Sequence, residues 1–585
     1  MQMASGKTLG IIRRAESLAR IPHDAIVLPL DFRLQVPTSH ALADRPERLL
    51  SPEDERAIEG AARQMSTHWS SGAGLRERLQ FEGLDVAGSF TYELEMAARD
   101  FAKAAWIARR CLERVTLERL VTDVPPLSDS APPYPYLSAL GTILEAEAKA
   151  TGIPFVNLAA LSARAAAKRK TALETGYAAL AARRGLRRLR SGGILLAVGP
   201  FPEFYRPLAA AWQSGDSQTV VLTRAALPMR PDSRLGLHLV TLESLQDADD
   251  RRRLQEYLDT SLDELSRLSW RAGLVVADVD LTPAFRTDLA ARFQRDGQAV
   301  ASVARGVRRN LARVARIVLA ESWSPFSKAI LSEARRAEIP TTLLQHGVLA
   351  GAFSYGVAEA DRIGAWGPSD ATWFRERLGN KVRVAPTGSP RYDHLAQSNP
   401  ETAEGNPAGV PRREPVVLFA SQPFVQDRAR RSPWDRAKII ESVLTTSRQL
   451  PEARFIIKWH PAEQPEAGIG DGVSQVHRGN TLDLLRRSDV VLVVSSTVAL
   501  EAMYLDRPVI FLGRADADSP FHPPEDGAGI RADGPDELLQ QLRSLLANPL
   551  LRERVTTGQR AFLSRSYAPL DGQAAMRVSA LVREV

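Results

Sequence analysis

Residues 488–502 read SDVVLVVSSTVALEA, and residues 455–463 read FIIKWHPAE. Both stretches contain a run of apolar, mostly β-branched residues, and polar residues follow where each apolar run ends. A continuous apolar run of this length is typical of a parallel strand that is covered on both faces. After the strand predicted over Val490–Val494, a helix is expected to begin near Val498. The polar residues of both stretches are therefore predicted to lie in turns at the carboxyl ends of strands.

The same alternation of apolar strands and helical segments extends on both sides of these stretches. Between residues 193 and 367 the predicted strands are ILLAVGP, TVVLT, LHLVTL, LVVADVD, RIVLAES, TTLLQHG and RIGAWG. After the polar linker Ser398–Glu414 they are PVVLFAS, RFIIKWHP, SDVVLVVSS and RPVIFLG. This pattern predicts the α/β class and the GT-B architecture, in which two doubly wound Rossmann-like domains face a cleft. The acceptor-side domain is predicted at residues 191–397, and the nucleotide-donor-binding domain with its C-terminal helices at residues 398–585.

Residues 1–190 differ from the rest of the chain and are predicted to form a helix-rich α/β extension. This part is rich in Ala and Arg and has short apolar runs such as Ala25–Leu30 and Ile153–Leu158. A basic helix is predicted over Arg164–Arg190. Its charges either lie on a solvated face or make a peripheral contact with anionic lipid at the inner membrane surface.

The composition narrows the compartment and the class of partner. The single cysteine, Cys111, excludes a disulfide framework and suits a reducing compartment. The sequence has neither a signal peptide nor about 18 consecutive apolar residues, so we expect a cytoplasmic protein. The net charge of +7 favours an anionic partner. Because this charge is scattered and no nucleic-acid motif is present, we expect that partner to be a nucleotide or a membrane surface and not a nucleic acid.

Polar side chains that can bind phosphate follow both of the opening strands. Ser495, Ser496 and Thr497 precede the predicted helix, where hydroxyls and N–H groups at a helix N-terminus attract an anion. His460 ends the other strand and can donate to a phosphate oxygen. The remaining predicted donor-site residues, which flank these two turns, are Lys458, Pro461 and Glu501. The alternatives are an ordinary N-cap for the hydroxyl residues and a packing role for the histidine.

Several segments resemble bacterial surface-carbohydrate transferases. KWHP followed by SDVVLVVSSTVALEAMYLDRPVIFL resembles the HP and Ser-Ser/Thr motifs of polysialyltransferases and of capsule-type sialyl and Kdo transferases. The same region is similar to CDP-glycerol glycerophosphotransferases of teichoic-acid synthesis. Further similar segments are TTLLQHGVLAG, PTGSPRYD and the tail LDGQAAMRVSALV. The resemblance covers roughly Val314–Val585, and it implies that the two motifs hold the phosphate of a nucleotide.

Three upstream residues complete the predicted site. His346, at the end of TTLLQ, matches the histidine assigned as the base in the resembling phosphotransferases, and an imidazole can remove a proton near neutral pH. Glu321, at the end of RIVLAES, is the rival base, since sialyl and Kdo transferases commonly use a carboxylate. Their acidic-acidic-glycine motif is not evident in this chain. Arg391 is predicted to clamp a phosphate or a donor carboxylate, because a guanidinium pairs with such groups bidentately; a linker salt bridge is the alternative.

These features together predict a glycosyltransferase that moves a sugar, sialic acid- or Kdo-like, from a nucleotide donor to a hydroxyl of a surface glycan or glycoconjugate. The single HP/Ser-Ser pair, without an additional basic cluster, favours a monophosphate leaving group, which a CMP-linked donor would supply. No cofactor and no metal are predicted, because short Asp-x-Asp pairs such as Asp278/Asp280 and Asp516/Asp518 are common by chance. The alternatives are a CDP-polyol phosphotransferase of teichoic-acid type, a UDP-sugar 2-epimerase and a catalytically silent nucleotide-binding scaffold.

Overall fold

A computed structural model describes most of the 585-residue chain. The residues outside this description are 1–6, 31–33, 35, 43–45, 69–74, 114–116, 128–136, 160–193, 199–201, 213–217, 224–231, 242–247, 268–274, 350–358, 397–413, 423–432, 461–462, 464–468, 470–471, 478, 514–520 and 585. The predicted basic helix at Arg164–Arg190, most of the predicted linker and Pro461 therefore lie outside the described residues. Among the helices that are described, none is both long enough and apolar enough to cross a bilayer.

The N-terminal part forms a parallel sheet of its own, with strand order β3-β2-β1-β6-β7. Its strands are β1 (Lys7–Ile12), β2 (Ile26–Pro29), β3 (Ala41–Leu42), β6 (Leu117–Thr122) and β7 (Phe155–Asn157). A small hairpin, β4 (Gln80–Phe81) and β5 (Leu84–Asp85), lies outside the sheet. The helices of this part are α1 (Ala15–Leu18), α2 (Pro52–His68), α3 (Leu75–Arg78), α4 (Val86–Ser89), α5 (Thr91–Glu113) and α6 (Leu140–Thr151). The extension is thus an α/β unit that winds outward from its first strand.

A seven-stranded parallel sheet follows, with strand order β10-β9-β8-β13-β14-β15-β16. Its strands are β8 (Ile194–Val198), β9 (Gln218–Thr223), β10 (Leu237–Thr241), β13 (Val314–Leu319), β14 (Thr341–Leu344), β15 (Arg362–Ala365) and β16 (Arg383–Pro386). The helices around it are α7 (Pro202–Trp212), α8 (Ala248–Ser266), α9 (Thr282–Arg292), α10 (Gln298–Arg308), α11 (Pro325–Arg336), α12 (Pro368–Leu378) and α13 (Asp393–Ala396). The direction of winding reverses between β8 and β13.

A six-stranded parallel sheet completes the chain, with strand order β19-β18-β17-β20-β21-β22. Its strands are β17 (Val416–Ala420), β18 (Arg454–Lys458), β19 (Val473–Val476), β20 (Val490–Val493), β21 (Val509–Leu512) and β22 (Ile530–Ala532). Its helices are α14 (Pro433–Gln449), α15 (Thr481–Arg487), α16 (Val498–Tyr504), α17 (Pro535–Ala547), α18 (Pro549–Ser566) and α19 (Ala574–Arg583). Two doubly wound Rossmann-like sheets in succession are the architecture of the GT-B class, so the predicted fold class is confirmed.

One predicted strand is wrong. LVVADVD forms an isolated antiparallel hairpin of β11 (Val275–Val276) and β12 (Val279–Asp280) instead of a strand of the large sheet. Its turn residues, Ala277 and Asp278, both have positive φ angles, of 49° and 62°. Two successive left-handed residues make a turn whose twist matches an antiparallel hairpin. The chain therefore reverses within this apolar run.

The three sheets are joined by shared apolar cores. The N-terminal core continues into the helices that follow β10, and Phe90 packs on Phe293 with ring centroids 5.4 Å apart. A second core contains Ala197 of the seven-stranded sheet together with Leu418 and Val491 of the six-stranded sheet. The last helix, α19, packs back on the seven-stranded sheet. These contacts fix the two larger sheets so that the turns after their strands meet.

Candidate functional site

The site forms where turns from the two larger sheets touch. β14 leads into Gln345-His346-Gly347, and β20 leads into the turn that contains Ser495 and Thr497. The backbone N–H of Val348 lies 3.4 Å from Oγ1 of Thr497. A methyl group placed on Gly347 would lie 3.5 Å from the same oxygen, so the two turns are in direct contact. This contact brings the predicted base and the predicted phosphate-binding hydroxyls to one place.

Gln345 fixes the turn that carries His346. Its side-chain nitrogen donates to the Gly347 carbonyl at 3.0 Å and to Oδ2 of Asp370 at 2.8 Å. Its side-chain oxygen accepts from the backbone N–H of Trp366 at 2.8 Å, and its carbonyl accepts from the Trp366 indole at 2.6 Å. Gln345 is fully buried, so each of these bonds lies in a low-dielectric environment where a broken bond is costly.

His346 is half-buried and lies close to the residues that follow β13. Its ring packs on Trp323 with centroids 5.0 Å apart. Burial lowers the pKa of His346 to about 4, because a hydrogen bond with the Ala320 backbone offsets only part of the desolvation, and the Arg391 charge lowers the pKa further. The imidazole is therefore neutral at physiological pH, which is the state a general base requires.

Glu321 also lies beside the site, but its carboxylate binds the start of α11. Oε2 accepts from the backbone N–H groups of Trp323 at 3.0 Å and Ser324 at 2.8 Å. Oε1 accepts from the hydroxyl of Ser324 at 2.6 Å and from the hydroxyl of Ser327. With four donors on its two oxygens, this carboxylate satisfies a helix N-terminus.

Arg391 and Glu501, two predicted donor-site residues, are paired with each other. Arg391 lies in a 3-10 turn, Pro390–Tyr392, after the last strand of the seven-stranded sheet, and Glu501 lies on α16 of the other domain. Their Nη2 and Oε1 atoms are 2.7 Å apart. Glu203 on α7 lies 3.8 Å from the same guanidinium. Burial raises the pKa of Glu501, and the Arg391 charge opposes that shift.

The turn after β20 presents half-buried hydroxyls. The backbone N–H of Ser495 donates to Oε1 of Gln422 at 3.1 Å, and Nε2 of Gln422 lies 3.2 Å from the Ser495 hydroxyl. The Ser496 hydroxyl accepts from the backbone N–H of Val498 at 3.2 Å, at the start of α16. β17 and β20 are adjacent, and the winding of the sheet reverses between them. Ligands of doubly wound sheets bind at such a crevice.

His460 follows β18 on the other side of Gln422. Its backbone N–H donates to Oε2 of Glu463 at 3.1 Å, and burial lowers the pKa of its ring. Lys458 is buried, and its ammonium donates to the carbonyls of Trp459 at 2.9 Å and His477 at 3.2 Å. Lys458 therefore joins the ends of β18 and β19, and burial lowers its pKa.

Gln345 and Gln422 were not among the residues predicted from the sequence. Each is the first polar amide after a buried strand of its sheet, and each binds the turn in which predicted site residues lie. The segments TTLLQ and FASQ show that each glutamine follows the end of a strand. The hydrogen-bond partners could not be predicted from the sequence, because residues such as Gln422 and Ser495 are 73 positions apart.

The described residues contain no group of three or more His, Cys, Asp or Glu side chains that could hold a metal ion. Asp280, one of the discounted Asp-x-Asp residues, accepts from the backbone N–H of Thr282 at 2.8 Å. Asp278 lies 3.7 Å from Arg109 of the N-terminal part. The other pair, Asp516 and Asp518, lies outside the described residues.

Residues 367–584 match the family model described as CDP-Glycerol:Poly(glycerophosphate) glycerophosphotransferase. The match begins immediately before α12, contains Arg391 and the whole six-stranded sheet, and ends in the last residues of the chain. His346 and Glu321 precede it. No curated protein sequence matches the chain.

The chain is also similar to solved structures at low sequence identity. UDP-GlcNAc 2-epimerase from Neisseria meningitidis is 12% identical, with a TM-score of 0.39, over 67% of this chain and 100% of that one. A variant of the wall teichoic acid polymerase TagF is 12% identical, with a TM-score of 0.41, over 68% and 90%. The glycotransferase of kitacinnamycin is 14% identical, with a TM-score of 0.39, over 67% and 98%. At sequence identities and TM-scores this low, the similarity assigns neither a substrate nor a residue role to this chain.

Proposed function

We propose that this chain transfers a polyol phosphate, such as glycerol phosphate, from a CDP-linked donor to an acceptor hydroxyl and releases CMP. The observation that carries the proposal is the glycerophosphotransferase family match over residues 367–584. That match favours polyol phosphate transfer, which the sequence offered as an alternative, over transfer of a sialic acid- or Kdo-like sugar. The family description names poly(glycerophosphate), and we propose a polymer of this class as the acceptor.

The proposed reaction is a displacement at phosphorus. The acceptor oxygen attacks the phosphorus that carries the polyol, and the bond from that phosphorus to the bridging oxygen of the pyrophosphate breaks. The bridging oxygen leaves with CMP, and the acceptor and the polyol become joined by a phosphodiester. The acceptor proton goes to His346, and the leaving phosphate is stabilised by preorganised donors.

His346 is the proposed base in preference to Glu321. Its pKa of about 4 leaves the ring neutral and able to accept a proton. The Glu321 carboxylate already accepts four hydrogen bonds at the start of α11. That carboxylate is committed to the N-terminus of α11, so its two oxygens are already occupied by these donors.

The proposed leaving-group site is the turn after β20 together with its neighbours. The hydroxyls of Ser495, Ser496 and Thr497 are half-buried and lie beside the His346 turn. At the next strand end, His460 is proposed to donate a hydrogen bond to a phosphate oxygen, and Lys458 is proposed to add positive charge. Arg391 is proposed to meet the donor phosphates, and its partner Glu501 is proposed to accept from the ribose.

A donor panel tests the proposal. The thermal unfolding of the purified protein is first measured with CMP, CDP, UDP or GDP. A ligand at 100 times its Kd adds about 2.7 kcal/mol of stability, so binding raises the unfolding temperature. CDP-glycerol, a CMP-sugar and a UDP-sugar are then each supplied with oligo(glycerol phosphate). We expect stabilisation by cytidine nucleotides and turnover of CDP-glycerol. Turnover of a CMP-sugar alone would indicate glycosyl transfer, UDP-sugar interconversion without acceptor would indicate an epimerase, and no turnover with any donor would indicate a scaffold.

A further inference from the structure

Behind the His346 turn lies a buried polar cluster that the proposed chemistry does not use. Asp370, in the first turn of α12, is 4% exposed, and its Oδ2 atom accepts from Nε2 of Gln345 at 2.8 Å. The same nitrogen donates to the carbonyl of Gly347, directly after the histidine. One side-chain amide therefore connects the carboxyl group to the turn.

We propose that Asp370 is a positioning residue that acts on His346 through Gln345. The inference rests on the proposed role of His346 as the base. An ionised carboxylate is a stronger acceptor than a neutral carboxyl group, so it holds the Gln345 amide more firmly. The orientation of that amide is fixed, because its oxygen accepts from the Trp366 N–H and its nitrogen faces two acceptors. When Asp370 takes up a proton, the nitrogen loses its charged acceptor and the turn is held less firmly.

The surroundings of Asp370 favour a change of charge near neutral pH. Burial raises the pKa of Asp370 to about 7, and the hydrogen bond from Gln345 opposes that shift. The charge of Asp370 acts on two titratable side chains of the described residues, Tyr504 on α16 and Tyr567 after α18. Burial raises the pKa of both tyrosines, so both stay neutral through this range. His346, with a pKa of about 4, does not change charge there.

The expected consequence is a pH dependence of kcat that does not come from the base itself. As the pH falls through about 7, kcat should decrease although His346 remains neutral. The KM for the donor should change little, because the predicted phosphate-binding hydroxyls of Ser495, Ser496 and Thr497 belong to the other sheet. A residue that only stabilised the fold would not separate kcat from KM in this way.

The test compares Asp370→Asn with Asp361→Asn in the full-length chain. Asp361 accepts from the backbone and hydroxyl of Thr341, at the end of β14 opposite the site, so it is a matched control. We expect Asp370→Asn to lower kcat with CDP-glycerol about tenfold at pH 8, as for one weakened hydrogen bond to a charged group, and to flatten the profile between pH 6 and 8. Asp361→Asn should keep the wild-type profile. An unchanged profile in a folded Asp370→Asn protein would overturn the inference.

A second readout does not depend on turnover. In protein labelled with 15N-histidine, the ring signals of His346 are assigned by their loss in His346→Gln. We expect these signals to shift between pH 6 and 8 in the wild type and to stay constant in Asp370→Asn.

The two readouts distinguish failure of the function from failure of the coupling between Asp370 and His346. If wild-type protein does not turn over CDP-glycerol but the shift is present, the proposed function fails and the coupling stands. If turnover is normal and no shift occurs, the coupling fails and the function stands. If Asp370→Asn does not fold, Gln345→Leu, which removes the connecting amide, takes its place with the same expected results.

Discussion

The turn after β14 and the turn after β20 touch each other, yet their polar groups have different surroundings. Gln345 in the first turn is fully buried, and its side chain bonds to three groups of its own domain. In the second turn Ser495, Ser496 and Thr497 are half-buried, with bonds of 3.1 to 3.4 Å to Gln422, Val498 and Val348. The first turn is built to hold one side chain in place, whereas the second can exchange its contacts for a ligand. A base benefits from fixed geometry, and an anion site benefits from accessible donors.

Removal of the His346 imidazole tests the proposed role of the first turn, which is to supply the general base. His346→Ala should lower kcat by about 10²- to 10⁴-fold, the usual contribution of a general base, with little change in nucleotide affinity. Steady-state rates and thermal shifts with CMP measure the two effects separately. His394→Ala changes an exposed histidine on α13 and serves as the control. A His346→Ala protein with normal kcat would remove His346 from the chemistry.

The Arg391–Glu501 ion pair connects the domain of the first turn to the domain of the second turn. Its disruption should have the next largest effect, which is on the stability of the fold. Glu501 is 3% exposed and Arg391 is 30% exposed, so Arg391→Gln leaves a buried carboxyl group without its cation. We expect a loss of about 1–3 kcal/mol of stability, less than for a fully buried pair because Arg391 is partly in water. Thermal unfolding should show partial recovery in the double variant Arg391→Gln/Glu501→Gln. Additive losses in the double variant would contradict this pairing.

Weakening of the second turn should affect donor binding more than turnover. Ser495→Ala removes a hydroxyl and loosens Gln422, so the donor KM should rise about tenfold, as for one lost hydrogen bond to a charged group, while kcat changes little. Initial rates over a range of donor concentrations measure both constants. Ser447→Ala, which removes a hydroxyl bonded to the Leu444 carbonyl within α14, should leave both constants unchanged. Equal effects of the two variants would show that the second turn has no special role.

The smallest expected effect is a dependence of stability on pH that Asp370 introduces. Its pKa is raised from 3.8 to about 7, so the folded protein holds this proton more tightly than the unfolded chain does. Its contribution to stability is therefore lost as the pH rises from about 4 to 7 and stays lost above that. Asp370→Asn should unfold a few degrees above the wild type at pH 8 and show a smaller difference at pH 5. The same gain in Asp361→Asn would show that the effect is not specific to Asp370.

The sequence predicted the central strands because they are continuous apolar runs, and it missed strands at or near the sheet edges. Arg383–Pro386, Val473–Val476 and Ile530–Ala532 are short and only partly buried, so they carry little of that signal. In the site, positions at strand ends were predictable, as for His346 and Ser495. What each side chain binds depends on contacts between distant residues, as in the pairing of Arg391 with Glu501. Glu321 is the exception, because its partners lie within six residues and the spacing in ESWSPFS suits a helix start.

The central claim is that a phosphoryl group, and not a sugar, crosses from the donor to the acceptor. CDP-glycerol labelled with 32P at the phosphorus that carries glycerol distinguishes the two in one incubation with oligo(glycerol phosphate). The proposed displacement predicts that the label moves into the acceptor polymer and that unlabelled CMP is released, with both products formed about 10²- to 10⁴-fold more slowly by His346→Ala. Label that leaves as CDP would mean that the bond to the polyol carbon had broken, and it would contradict the account.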